Sequence, residues 1–133
     1  MAVYVDTSAW IALHERREED HAAAKRAVER LARANEPLIT GWHTLTELAD
    51  GLARHYDQAK ASQVLEQLLA SPRVRVVASE PHVARGLEIL RTRTDWNVDL
   101  SDCLSFALME AHGIQRAFTY DRGFKKPGFE LLG

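Results

Sequence analysis

Short apolar runs alternate along the chain with longer stretches in which apolar residues recur every three or four positions, the pattern of strands separated by amphipathic helices. Residues 2–5, AVYV, form the first run and end at Asp6, after which Thr7 or Ser8 can cap a helix carrying Trp10, Ile11 and Leu13. Over 20–34, Ala24, Ala27, Val28 and Leu31 share one face while Lys25, Arg26, Glu29, Arg30 and Arg33 lie elsewhere, which predicts a surface helix. Asn35, Glu36 and Pro37 break it before a second strand at 38–40. A helix over 43–55 sets Leu45, Leu48, Ala49 and Leu52 in one stripe, with His43, Glu47, Asp50 and Arg54 on the polar side. The helix predicted at 57–70 buries Val64, Leu65, Leu68 and Leu69 and stops at Ser71-Pro72. A third strand follows at 74–78, then a helix at 80–93 with Val83, Leu87 and Leu90 in phase. A fourth strand at 117–120 is closed by Asp121, and the tail KKPGFELL can add an edge strand.

The segment 98–113, VDLSDCLSFALMEAHG, has a different pattern. Leu104, Phe106, Ala107, Leu108, Met109 and Ala111 leave almost no polar face before Glu110 and His112, so the helix is expected inside. Ser101 is the expected N-cap and Gly113 the stop. Asp102 then enters the core in the first turn. A carboxylate removed from water without a partner is costly, so this one requires donors, a cation or a metal.

Composition narrows the setting. At 133 residues and 46% hydrophobic, the chain fits one domain over 1–133 with a single core. A net charge of −2 excludes a wholly basic nucleic-acid binder but leaves room for a basic rim around an acidic cleft. No apolar run approaches the roughly 18 residues of a membrane span, and MAVYVDTSAW lacks the basic start and cleavage site of a signal peptide. The expectation is a cytoplasmic protein with no membrane partner. The one cysteine, Cys103, excludes an internal disulfide framework and reads as a small apolar filler.

Alternating strands and helices imply an α/β fold, a central parallel sheet of four or five strands with helices on both faces in a Rossmann-like three-layer arrangement. Such sheets bind ligands beyond the carboxyl ends of their strands. If the first and fourth strands are neighbours, Asp6 and Asp121 share one rim, Asp102 can join them, and Glu47 has a face free to do so. Singly, each acid has an ordinary reading: Glu47 as a solvated helix acid, Asp6 as an N-cap, Asp121 as a turn residue before Gly123. Together they repel unless a divalent cation neutralises them. Hard oxygen donors without a His or Cys cluster indicate Mg2+ or Mn2+ rather than zinc.

VDTSAW at 5–10, TELADGL at 46–52, DLSDCLSFALM at 99–109 and TYDRGF at 119–124 occur in that order across nearly the whole chain. Together they resemble the acidic motifs of PIN-domain ribonucleases, most closely the VapC toxins of toxin–antitoxin systems. The resemblance implies a PIN-like sheet and a Mg2+- or Mn2+-dependent endoribonuclease in which Asp6, Glu47, Asp102 and Asp121 carry the activity. Asp6 and Asp102 would hold a first metal, Glu47 and Asp121 a second or the attacking water, and Thr7 or Ser8 would place a hydroxyl near metal or phosphate. Related sequences often have Ser or another small residue where this chain has Asp99. SDCLSFALM fits the pattern with Asp102 as principal ligand, which leaves Asp99 as an outer acid. The same resemblance implies an RNA substrate, a cognate antitoxin over the cleft and a homodimer.

Three other classes fit these residues less well. A haloacid-dehalogenase-type phosphotransferase also begins strand–Asp–Thr, but requires a second Asp where Ser8 stands. A receiver module places its acid after a central strand, whereas 74–78 is followed by Ser79-Glu80. A catalytically silent PIN-like module that only binds RNA or protein has no need of all four acids. Trp42, Trp96 and Tyr120 are expected to pack rather than stack on bases, and Tyr56 and Leu65 to be apolar surface left for an interface.

Overall fold

The middle strand of the sheet is three residues long, Val-Tyr-Val, and all three are fully buried because helices cover both of its faces. The computed structural model describes residues 1–133. In chain order the elements are β1 (Val3–Val5), α1 (Thr7–His14), α2 (His21–Arg33), β2 (Leu38–Gly41), α3 (Trp42–His55), α4 (Gln58–Ala70), β3 (Val74–Val77), α5 (Val83–Thr92), α6 (Leu100–His112), β4 (Arg116–Phe118) and β5 (Glu130–Leu132). Single 3-10 turns lie at Glu80–His82, Thr94–Trp96 and Arg122–Lys125.

All five strands run parallel in the order β3-β2-β1-β4-β5, with Tyr4 opposite both Ile39 and Ala117. The chain steps outward from β1 to β3 and returns to the far side of β1 for β4 and β5, so the strand order reverses between β1 and β4. That reversal leaves a crevice at the carboxyl ends of those two strands. The expected fourth strand is therefore the neighbour of the first, and the tail supplies β5 as an edge.

Alternation along β1 divides the core in two. Val3 and Val5 face α1 to α4, packing with Trp10, Ala24, Ala27, Leu45, Leu48 and Phe118. Tyr4 faces the other way, into the layer of Ile89, Cys103, Phe106, Leu108 and Met109. Phe106 centres that layer, edge-on to Trp96 at 6.1 Å and to Phe124 at 5.0 Å between ring centroids. Trp96 and Tyr120 pack as expected, but Trp42 is 46% exposed.

Some local expectations change. Asp99, not Ser101, caps α6: its Oδ1 accepts the Asp102 backbone N–H at 2.9 Å, and the helix begins one residue before Ser101. Neither Thr7 nor Ser8 caps α1; Asp6 holds that position and both hydroxyls bond elsewhere. Leu65 lies partly against the core, whereas Leu69 is exposed. On α5 the stripe Val83, Leu87, Leu90 points to solvent, and Gly86 and Ile89 face inward. Close approach decides that orientation, since a Cβ on Gly86 would lie 3.0 Å from Leu104 Cδ2 and 3.4 Å from the Leu104 backbone nitrogen. Gly86→Val is accordingly expected to cost about 1 kcal/mol or more by forcing α5 off α6, read as a lower denaturant midpoint.

Candidate active site

β1 ends in Asp6, whose backbone N–H bonds to Phe118 O at 3.1 Å, so the last ladder contact clasps β1 to β4 where their side chains leave the sheet. Asp6 is buried, and its Oδ2 accepts from Ser8 Oγ at 3.2 Å and Thr119 Oγ1 at 3.1 Å. Thr119 in turn accepts the Asp121 N–H at 3.0 Å, and Ser8 Oγ accepts the Tyr120 N–H at 2.9 Å. Two short hydroxyl side chains thus fix the turn after β4 against the start of α1. Both bonds to Asp6 go to Oδ2, which leaves Oδ1 without a side-chain donor.

The other acids reach the same rim from three directions. Asp121 Oδ1 accepts the Gly123 N–H at 2.8 Å, a local turn in which its second oxygen receives no donor. The fit at Gly123 is tight, because a Cβ would sit 3.1 Å from that Oδ1 and 3.3 Å from Val98 Cγ1. Glu47, exposed on α3, receives the Thr7 hydroxyl at 2.5 Å and so leans toward α1. Asp102 is half-buried in the first turn of α6, and Asp99 is exposed just outside it.

Charge shows that these groups sense one another. Burial pushes the Asp6 carboxyl up to about 6; Thr7 and Thr119 pull it back, and Glu47 and Asp121 add to the rise. Burial is also the largest cause of the rise of Asp102 to about 8, followed by Asp99, Asp121 and Asp6. No basic side chain relieves the cluster, since the ion pairs of the protein, Arg17–Glu15, Arg85–Glu88, Arg85–Glu110 and Arg116–Glu36, all lie elsewhere. The acids do not close around one point: no three acidic, histidine or cysteine side chains stand as a ready ligand set. Asp6, Glu47 and Asp121 are each turned to a hydrogen-bond donor of their own instead. All-oxygen donors with unrelieved negative charge fit a hard divalent cation.

Sequence reasoning named the acids, Thr7 and Ser8, and missed Thr119, although it lies in the quoted TYDRGF. It also missed the polar residues beneath the site. His43, assigned to the polar side of its helix, is turned inward to Ser79 and Ser105.

Comparison with known proteins agrees with this geometry. The PIN domain family model matches residues 3–130. The 23S rRNA-specific endonuclease VapC20 of Mycobacterium tuberculosis is 31% identical over 135 residues, covering 96% of this chain and 95% of the relative. The crystal structure of that protein, described as a Sarcin-Ricin loop cleaving toxin, superposes with a TM-score of 0.83 at 30% identity over 96% of this chain and 95% of that one. VapBC2 from Rickettsia felis, bound to a promoter DNA fragment, has the same fold with a TM-score of 0.75 at 18% identity, covering 98% of this chain and 97% of that one. With the family model spanning nearly the whole chain and the mycobacterial relative matched over 96% of it, the protein belongs to the PIN-domain family, in its VapC-like branch.

Proposed function

We propose that the protein is a divalent-cation-dependent endoribonuclease toxin that hydrolyses RNA phosphodiester bonds and is neutralised by a cognate antitoxin. The observation that carries this reading is the electrostatic coupling of Asp6 to Glu47 and Asp121, and of Asp102 to Asp6 and Asp121, with no basic partner, at the crevice beside β1. Asp6, through Oδ1, and Asp102 would hold Mg2+ or Mn2+, with Glu47 and Asp121 completing a second position or orienting water and Asp99 remaining outside as the helix cap. When bound, the cation offsets the charge that develops on the phosphoryl group and acidifies a water molecule. The protein's own part is to hold that geometry. Thr119 and Ser8 fix the Asp6 carboxyl through Oδ2, and Thr7 restrains Glu47.

Similarity to the mycobacterial relative makes 23S rRNA the first substrate to test. The test is incubation of the purified protein with total RNA in Mg2+, in Mn2+ and in EDTA. Discrete fragments that form only with a divalent cation are the expected result; intact RNA in every condition would leave the silent binding module as the better reading. A homodimer, a cytoplasmic location and an antitoxin side chain of Arg or Lys reaching the acids belong to the same proposal, since a cation is the natural blocker of an acidic cleft.

A further inference from the structure

Directly under the acids, side chains from four elements form one unbroken hydrogen-bonded chain. Tyr4 OH, on β1, lies 2.6 Å from Thr44 Oγ1 on α3 and 2.9 Å from Ser105 Oγ on α6. His43 Nε2 lies 2.8 Å from the same Ser105 Oγ, and its Nδ1 lies 2.6 Å from Ser79 Oγ in the turn after β3. Ser79 Oγ also accepts the His43 backbone N–H at 3.0 Å. Tyr4, Thr44 and Ser105 are essentially without solvent contact. Burial pushes the tyrosine hydroxyl up to about 12 and the imidazole down to about 4, so both are neutral at physiological pH.

The spacing of these residues is what gives the chain meaning. Tyr4 is two residues before Asp6, Thr44 is three before Glu47, and Ser105 is three after Asp102. Three of the four elements that bring an acid to the rim, all but the turn after β4, are therefore tied to one another about one helical turn, or one strand pleat, away from that acid. We propose that Tyr4, Thr44, Ser105 and His43 are positioning residues that set the separation of Asp6, Glu47 and Asp102, and so the cation-binding geometry of the site. The inference rests on the ribonuclease reading above and extends it to residues that touch neither cation nor RNA.

Stability alone does not call for this arrangement. Apolar side chains of similar shape could fill the same layer at little cost, whereas a satisfied polar network fixes one relative placement of the elements that share it. Room has also been made for it: a Cβ on Gly41 would lie 2.6 Å from His43 Cε1, so glycine before α3 allows the imidazole to fold back beneath the helix.

The test compares Thr44→Val, which keeps the shape and removes the hydroxyl, with Thr44→Ser, which keeps the hydroxyl and removes a methyl group. Tyr4→Phe is the second hydroxyl deletion. Each variant, checked for fold by circular dichroism, is titrated with Mn2+ while its melting temperature is followed, and kcat and KM for RNA cleavage are measured at a temperature where all are folded. Thr44→Val and Tyr4→Phe are expected to raise the half-saturating Mn2+ concentration and lower kcat by about tenfold or more, with KM little changed. Thr44→Ser is expected to rescue both. If the hydroxyl deletions lower only the melting temperature and leave Mn2+ half-saturation and kcat at parent values, or if Thr44→Ser is the more damaging of the Thr44 pair, the residues serve packing and the inference is overturned. A parent protein whose melting temperature ignores Mn2+ would overturn the cation-site reading, and this inference with it.

Discussion

Asp102→Asn is expected to cleave RNA roughly 100- to 1,000-fold more slowly than the parent, with an unchanged fold. The substitution keeps volume and hydrogen-bonding shape but removes the charge that Asp102 would offer a cation at the head of α6. Folding should survive because the native state already disfavours that charge: burial, Asp99, Asp121 and Asp6 all push the Asp102 carboxyl toward its neutral form. Asp6→Asn is expected to behave alike, since Oδ2 would still have Thr119 and Ser8 beside it. Asp99→Asn gives the contrast. Asn is as good an N-cap as Asp, so the Asp102 N–H keeps its acceptor and cleavage should fall far less. Single-turnover cleavage of one labelled RNA by all three variants is the measurement. Parent-like cleavage by Asp102→Asn, or a greater loss in Asp99→Asn, would move the site off Asp102.

The second large effect concerns pH. Without divalent cation, the melting temperature should fall by about 5 °C or more between pH 5 and pH 8. Asp6 is raised from 3.8 to about 6 and Asp102 from 3.8 to about 8, so across that interval these two acids bind more protons in the folded chain and lower stability as pH rises. His43, lowered from 6.5 to about 4, works in the opposite sense and offsets the Asp6 contribution of about 1.4 kcal/mol, so the net decline is carried by Asp102. Millimolar Mn2+ should reverse the loss, giving a larger melting-temperature gain at pH 8, where the acids are charged, than at pH 5, where protons compete. Asp102→Asn should start higher at pH 8 and respond less to the cation. A melting temperature flat from pH 5 to pH 8 and indifferent to Mn2+ would show that the acids do not form one electrostatic unit.

Much of this site is legible in the sequence because its acids fall at grammatical positions of an α/β chain, two where strands end and one where a buried helix begins. Strand–Asp at residues 3–6, and again shortly before Asp121, brings the two acids to one rim once the first and fourth strands are neighbours, as they are here. What was not legible depends on choices that periodicity leaves open. Asp99 and Ser101 are both good caps, and only the register of the helix start decides between them. Val83, Leu87 and Leu90 form a proper stripe, yet the opposite face won because Gly86 lets α5 approach α6 closely. His43 shares its helix face with polar residues and still turns under, because Ser79 and Ser105, distant in sequence, provide its partners. Thr119 was overlooked because a threonine at a strand end has nothing in its type to distinguish it.

The pairing of β1 with β4 also governs when the cleft can come into being. Tyr4 meets Ala117 across a loop of more than 110 residues, one of the most nonlocal contacts a domain of this length can make. Contacts of that kind tend to slow folding, because the entropy of closing the loop must be met before the pairing returns anything. Asp6 and Glu47 lie in the part of the chain that forms β1 to β3, while Asp102 and Asp121 arrive only as β4 docks. Until that docking the chain has half of its acids in place and nothing to hold a scissile phosphate, so in refolding the appearance of nuclease activity should follow formation of the β1–β4 ladder and never precede it.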